Sequence, residues 1–366
     1  MLTRRTLLTG ALTGVACGGL RMPIAAQSFG LPDGYFVPAE EVRHERTFMQ
    51  WPASTRVHPD PDFLMDLQES IADIANTISA FEPVVMLMNR KHALLARRML
   101  SNNVEIWDIP TDDLWARDSG PLFAVDGNGG LAVSNLNFNG WGNKQFHRND
   151  GLVAQRVAER LGLPVYDSGI TGEPGGVETD GAGTLMAHES SWVNPNRNDS
   201  DRAEIEARLL AAYGATKMIW APGIAGADIT DDHIDALARF VAPGQILIQL
   251  PDVSDTDPFS LSAFETYDIL AEASDARGQR LQLVDLPYPE RPRVTSADFV
   301  ASYVNYYVCN GAVIAAEFGD RDTDQEAARV LADLYPDREI MMLNVDPVGE
   351  TGGGIHCATQ QQPATR

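Results

Sequence analysis

Apolar positions along this chain switch between two periods in a recurring order. Phe63, Leu64, Leu67, Ile71, Ile74 and Ile78 fall at helical spacing behind Asp60-Pro61-Asp62, so a helix capped there is expected to run to about Phe81. Val84-Val85-Met86-Leu87-Met88 is a short continuous apolar run and reads as a buried strand. A helix from about Lys91 to Leu100 and a strand over Val104–Trp107 follow. Leu122–Val125 and Leu131–Ser134 flank Asp126-Gly127-Asn128-Gly129-Gly130 as a hairpin, ahead of a helix near 149–161 and a strand at Pro164-Val165-Tyr166. The order returns with strand Thr184–His188, helix 201–213 and strand Thr216–Trp220. It returns again with Leu237–Val241 and Gln245–Leu250 around Pro243-Gly244, a helix near 259–275 and Leu281–Val284. Its final instance is Tyr303–Cys309 and Val313–Glu317 around Asn310-Gly311, a helix near 323–335 and Glu339–Leu343. Hairpin, helix, strand about five times over predicts an α/β protein built as a radial array of ββαβ modules, with an ordinary α/β sandwich as the alternative.

Composition changes this picture at one end. Met1 to Gly10 carries the pair Arg4-Arg5, followed by a short apolar, small-residue run to about Ala16 and then Pro23-Ile24-Ala25-Ala26. That order is an export signal of the twin-arginine type, expected to span 1–26, and it places the mature protein in the periplasm or outside the cell. The run is too short and too rich in Gly and Thr for stable membrane insertion. The remainder, 27–366, has no Pro/Ser-rich linker or charge block that cuts it, so a single catalytic domain is expected. Removing 1–26 takes away Arg4, Arg5 and Arg21 and no acid, so 28 − 51 = −23 becomes 25 − 51 = −26. Such a chain will not hold a nucleic-acid backbone and will attract small cations. Cys17 leaves with the signal, Cys309 lies in the apolar run Tyr306-Tyr307-Val308-Cys309, and Cys357 remains.

Four segments place chemically capable residues where a module meets a strand. Asp118, in Trp115-Ala116-Arg117-Asp118-Ser119-Gly120-Pro121, binds a cation or caps a turn. Glu173 opens the glycine-rich stretch Glu173-Pro174-Gly175-Gly176-Val177-Glu178, for which a plain surface turn is the alternative. In Asp231-Asp232-His233-Ile234-Asp235, an extended backbone would send His233 and Asp235 to one face, as a structural hydrogen-bonded pair, as a base with a cation-binding partner, or as metal ligands together with Asp232. Cys357 follows Gly352-Gly353-Gly354, which lets the backbone pass close to a ligand. Taken together, a thiol, a histidine and several carboxylates suit attack on a guanidinium carbon. Carboxylates grip the N–H groups, the thiolate attacks, and the histidine moves protons, with no cofactor and no metal required.

These segments sit in a longer ordered set: Trp51-Pro52, Phe138-Asn139-Gly140-Trp141-Gly142, Asn194-Pro195-Asn196-Arg197-Asn198, His233-Ile234-Asp235, Ser302-Tyr303-Val304-Asn305, Phe318-Gly319-Asp320 and Gly353-Gly354-Ile355-His356-Cys357 with its Gln-Gln-Gln-Pro tail. From Pro38 to Pro363 the chain resembles the agmatine deiminase and bacterial peptidylarginine deiminase family of guanidino-group-modifying enzymes. The resemblance implies a five-bladed α/β propeller with its active site on the pseudo-symmetry axis. It implies Cys357 as nucleophile, His233 as general acid and base, Asp118 and Asp235 as the guanidinium clamp, and Glu173 as the group orienting the histidine. Trp115, Gly353 and Gly354 would line the substrate channel. The implied partner is a small cationic guanidino substrate, agmatine first, giving N-carbamoylputrescine and ammonia. Arginine, free or in a peptide and giving citrulline, is the alternative, and a non-enzymatic guanidino-binding protein stands further off. The family tends to carry other residues at Glu41, Glu178, Asp231, Asp232 and Gly354, which are therefore expected at the rim of the substrate channel. Oligomeric assembly stays open.

Overall fold

The computed structural model describes residues 29–296 and 298–365. The export signal expected over 1–26, with Arg4, Arg5 and Cys17, lies outside the described residues.

The chain order begins with β1 (His44–Gln50), α1 (Pro61–Ile78), β2 (Val84–Met88) and β3 (Val104–Asp108). The second module is β4 (Leu122–Val125), β5 (Leu131–Asn135), α2 (Val153–Leu161) and β6 (Val165–Asp167). The third is β7 (Val177–Thr179), β8 (Thr184–His188), α3 (Arg202–Tyr213) and β9 (Lys217–Ala221). The fourth is β10 (Ala238–Ala242), β11 (Gln245–Leu250), α4 (Pro258–Glu272) and β12 (Gln282–Pro287). The fifth is β13 (Tyr307–Cys309), β14 (Ala312–Ala316), α5 (Arg321–Leu334) and β15 (Glu339–Leu343), and the chain closes with β16 (Thr359–Pro363).

Among the described residues these strands form five small sheets, one per module. In modules two to five an antiparallel hairpin is followed by a helix and a strand parallel to the second hairpin strand. The first sheet has the order β16-β1-β2-β3, and its antiparallel pair joins the two ends of the chain, with Phe48 opposite Gln360 and Met49 opposite Thr359. The ring of a five-bladed α/β propeller is thus closed by the segment that follows Cys357. The Gln-Gln-Gln-Pro tail, polar and unassigned from its pattern, becomes a strand because a partner edge is waiting for it.

Local chemistry accounts for the helices. Asp60 caps α1 through the backbone N–H groups of Asp62 and Phe63, with Pro61 at the first position. Asp257 and Pro258 repeat the device at α4. The face of α1 carrying Leu67, Ile71, Ile74 and Ile78 is buried in the core that also holds Val84, Met86, Tyr307, Val308 and Ile314, so it welds the first module to the fifth. Truncating one such side chain, Ile71→Ala, costs about 2–5 kcal/mol.

Three elements differ from the pattern reading. The helix expected from about Lys91 to Leu100 is a 3-10 turn, Arg90–His92, followed by a single helical turn, Ala93–Ala96. The strand expected over Tyr303–Cys309 starts at Tyr307, and the residues before it, Ser302 and Asn305 among them, form hydrogen-bonded turns. The Glu173–Gly181 stretch is not a surface turn, because Glu173 to Glu178 are buried and Val177–Thr179 is a strand.

Candidate active site

Five segments, one per module, end just ahead of the first strand of a hairpin. Asp118 lies in the short helix Ala116–Ser119 before β4, and Glu173 precedes the turn Pro174–Gly176 that leads into β7. His233 and Asp235 bracket the start of the turn Ile234–Ala236 before β10. Asn305 comes two residues before β13 and Cys357 two residues before β16. All of these side chains are buried. Pseudo-symmetry therefore delivers one or two functional groups from each blade to one place.

Gly175 marks where they meet. A Cβ there would lie 2.6 Å from Asp118 Oδ1, 3.0 Å from His233 Nδ1 and 3.2 Å from Asp235 Oδ2, so only glycine leaves the space between the three groups open. Its N–H donates to Asp118 Oδ1 at 3.3 Å, while Trp141 Nε1–H holds Asp118 Oδ2 at 2.8 Å. His233 Nε2 meets Glu173 Oε2 at 3.2 Å, and its Nδ1 faces Asp118 Oδ1 at 3.8 Å. Glu173 is itself fixed by Arg197, whose Nε–H reaches both carboxylate oxygens at 3.0 Å and whose Nη1 donates to Asp231 at 2.6 Å. On the opposite wall Cys357 Sγ lies 3.5 Å from Asp235 Oδ2 and accepts from Asn305 Nδ2 at 3.2 Å. Asn305 Oδ1 takes the Cys357 backbone N–H at 3.3 Å, so one amide holds Cys357 through both its thiol and its main chain.

Burial sets the electrostatics. Burial alone would lower the His233 pKa, but Asp118 and the hydrogen bond to Glu173 push it up to about 9. Burial raises Asp118 to about 6, with His233 opposing and Glu173 and Asp235 adding to the rise. The Cys357 thiol is driven well above its ordinary value by burial and then by Asp235 and Asp118. Burial would also raise Asp235, yet the His356 hydrogen bond and nearby positive groups hold it low. The resting site thus pairs a neutral thiol with a charged imidazole and carboxylates short of cations.

The structure brings together Cys357, His233, Asp235, Asp118 and Glu173, with Trp115, Gly353 and Gly354 alongside. The strand proposed to align His233 and Asp235 is instead a 3-10 turn, which still leaves both facing Gly175. Gly353 and Gly354 are needed for close approach: a Cβ would lie 2.5 Å from the Trp115 ring at the first and 2.5 Å from Asn305 Oδ1 at the second. The expected rim residues are not all at a rim. Glu178 is buried with its Oε1 on Arg239 Nε at 3.0 Å, and Asp231 is buried against Arg197, Lys144 and Asn196. Asp232 turns away from His233 towards His188 and Ser262, which separates the three-ligand set His233, Asp235 and Asp232. No group of three or more His, Cys, Asp or Glu side chains among the described residues is placed to hold a metal ion.

Asn305, His356, Arg197 and Trp141 stand in the family-like segments but carried no role in the sequence reading. Asn305 had a signal. It occupies, in the fifth hairpin, the position ahead of the first strand that the other modules use for Asp118, Glu173, Asp235 and Cys357.

Comparison with known proteins agrees with this geometry. The agmatine deiminase of Stutzerimonas stutzeri is 34% identical over 360 residues, covering 91% of this chain and 96% of its own. That of Medicago truncatula is 32% identical over 365 residues, covering 90% and 97%. The solved agmatine deiminase of Enterococcus faecalis superposes with a TM-score of 0.84 at 26% identity, over 91% of this chain and 97% of its own. The profile of the Porphyromonas-type peptidyl-arginine deiminases matches residues 36–363, and the chain belongs to that family.

Proposed function

We propose that the protein hydrolyses a guanidino compound to a ureido product and ammonia, with agmatine its substrate and N-carbamoylputrescine its product. The observation that carries this reading is the convergence on Gly175 of Asp118 Oδ1, Asp235 Oδ2 and His233 Nδ1 beside the Cys357 thiol. Asp118 and Asp235 offer separate carboxylates to the N–H groups of a planar cation. That cation offsets the two charges that raise the thiol pKa, so substrate binding itself favours the thiolate; the thiol proton, which points to Asp235 Oδ2 at 3.5 Å in the resting site, leaves to solvent while Asp235 stays ionised to hold the cation. Sulfur attacks the central carbon and a C–S bond forms. The charged His233 gives its proton to the departing nitrogen, the C–N bond breaks, and ammonia leaves a thiouronium on Cys357. Water adds to the carbon as the now neutral His233 takes one of its protons; the C–S bond breaks, the remaining hydroxyl proton passes to solvent, where it converts the released ammonia to ammonium, and the ureido product departs with the thiolate restored. Asn305 Nδ2–H stabilises the sulfur whenever it carries charge. The similarity to agmatine deiminases over nine-tenths of the chain supports agmatine as the substrate.

The export signal expected over 1–26 and the family description favour a second reading, deimination of arginine in peptides. Ammonia release from agmatine, free arginine and short arginyl peptides separates the two. Turnover of agmatine with none of the peptides rejects the second, and turnover of peptides alone rejects the first. The twin-arginine export to periplasm or medium is proposed on Arg4-Arg5 and the run behind it, and retention of an Arg4→Lys, Arg5→Lys double variant in the cytoplasm would support it.

A further inference from the structure

Behind Asp235, on the side away from His233, a second ionic cluster fills the space between modules. His356 is buried at its centre, with Nδ1 2.7 Å from Asp235 Oδ2 and Nε2 3.0 Å from Glu40 Oε2. Glu40 is in turn bound by Arg117 Nη2 at 2.7 Å and Arg239 Nη2 at 3.1 Å, and Glu178 lies 3.9 Å from the same imidazole nitrogen. The cluster faces a small open pocket lined by Glu40, Glu41, Arg117, Glu178, Arg239 and His356. The main chain that carries the ring is fixed on both sides, its N–H held by the Asn305 carbonyl at 3.1 Å and its carbonyl accepting from Arg117 Nε at 3.4 Å, while the ring itself is held by its two carboxylate partners.

Two consequences follow for Asp235. Its Oδ2 is tied to His356, so the carboxylate plane is set from behind by a residue that does not touch the space around Gly175. Its Oδ1 is buried and has no hydrogen-bond partner among the described residues, which costs free energy unless a donor arrives. A guanidinium N–H is such a donor. Resting on the guanidino reading of the site, we infer that His356 is a positioning residue for substrate binding: it anchors Asp235 through Oδ2, the oxygen nearest Gly175, and so fixes a carboxylate whose unpaired Oδ1 is left to accept a guanidinium N–H. The low pKa of Asp235, in which burial is outweighed by His356 and neighbouring positive groups, is a second mark of the same bond.

The two nitrogens of the imidazole can be replaced separately. In His356→Asn the amide nitrogen sits where Nδ1 was and can still donate to Asp235, whereas in His356→Gln it reaches the Nε2 position and serves Glu40. Steady-state kinetics with agmatine across pH 5–9, on wild type and on the Ala, Asn and Gln variants checked for folding by circular dichroism, test the inference. For H356A the expected result is a KM raised about 10-fold or more, a kcat reduced less than that, and an acid limb of kcat/KM moved to higher pH. H356N is expected to recover most of the KM and the acid limb, and H356Q to resemble H356A. A wild-type KM and acid limb in H356A, or recovery by H356Q equal to that by H356N, overturns the role. If H356A does not fold, the Asn and Gln variants decide alone. Wild-type turnover of the guanidino panel reports separately on the functional reading, and its absence across agmatine, arginine and arginyl peptides overturns both.

Discussion

His233 and His356 make an instructive pair. Both are buried, and both stand between two carboxylates: His233 between Glu173 at 3.2 Å and Asp118 at 3.8 Å, His356 between Asp235 at 2.7 Å and Glu40 at 3.0 Å. They differ in what holds the carboxylates. Among the described residues Asp118 has no cationic side chain paired to it beyond His233, and burial brings it to about 6, where it exchanges a proton readily. Glu40 is wedged between Arg239 and Arg117, and these with His356 overcome burial and keep it well below the ordinary range. An imidazole beside an acid that titrates near neutrality is suited to moving protons. One beside permanently ionised groups is suited to tying elements together. Residue type is the same in both places, and the partners of the partners decide the role.

The largest expected effect removes the sulfur proposed to attack the substrate. Cys357→Ala should lower agmatine turnover below detection while thermal unfolding stays within a few degrees of wild type, since the side chain lost is small; measurable turnover in that variant would remove the nucleophile from the mechanism. Next comes the proton-moving side. Glu173→Gln should cut kcat by about 10²–10³-fold and shift the alkaline limb of the pH profile to lower pH, because the hydrogen bond that helps raise His233 to about 9 is lost. An alkaline limb that stays in place would break the assignment of that limb to His233.

The tying side should answer differently. Glu40→Gln leaves Arg117 without its paired carboxylate and Arg239 with Glu178 alone, and the loss expected in denaturant titration is about 3–5 kcal/mol of stability, with a smaller change in kcat than Glu173→Gln. If Glu40→Gln proves the more damaging to kcat, the contrast between the two clusters fails.

The smallest effects concern pH. His233 has its folded pKa raised from 6.5 to about 9, so its stabilising contribution is complete below 6.5 and fades as pH rises through 9. Thermal midpoints of the free protein should reflect that fall. Asp118, raised from 3.8 to about 6, must be ionised to hold a cation, and binding at pH 5 has to expel its proton. The gain in midpoint that agmatine confers on Cys357→Ala should therefore be greater at pH 7.5 than at pH 5, by the equivalent of about 1 kcal/mol. Equal gains at the two pH values would place the guanidinium away from Asp118.

Periodicity and turn chemistry alone determined the modules. Thr184–His188, Gln245–Leu250 and Glu339–Leu343 are strands with the bounds their apolar runs predict, and Asp60-Pro61 starts its helix, because local burial and capping act over a few residues. The family-like segments likewise exposed Cys357, His233, Asp235, Asp118 and Glu173. What the chain pattern could not express is contact across modules. The polar Thr359–Pro363 becomes a strand only against His44–Gln50, more than 300 residues away, and Asn305, lying just ahead of its strand, turns towards Cys357 rather than into the sheet. Glu178 and Asp231 look like surface acids until Arg239 and Arg197 arrive from other parts of the chain. The proton-moving role proposed for His233 was already implied by the family-like segments; only the tertiary structure set His356 beside Asp235 and Glu40, because that contact depends on charges brought together by ring closure and buried where water cannot screen them.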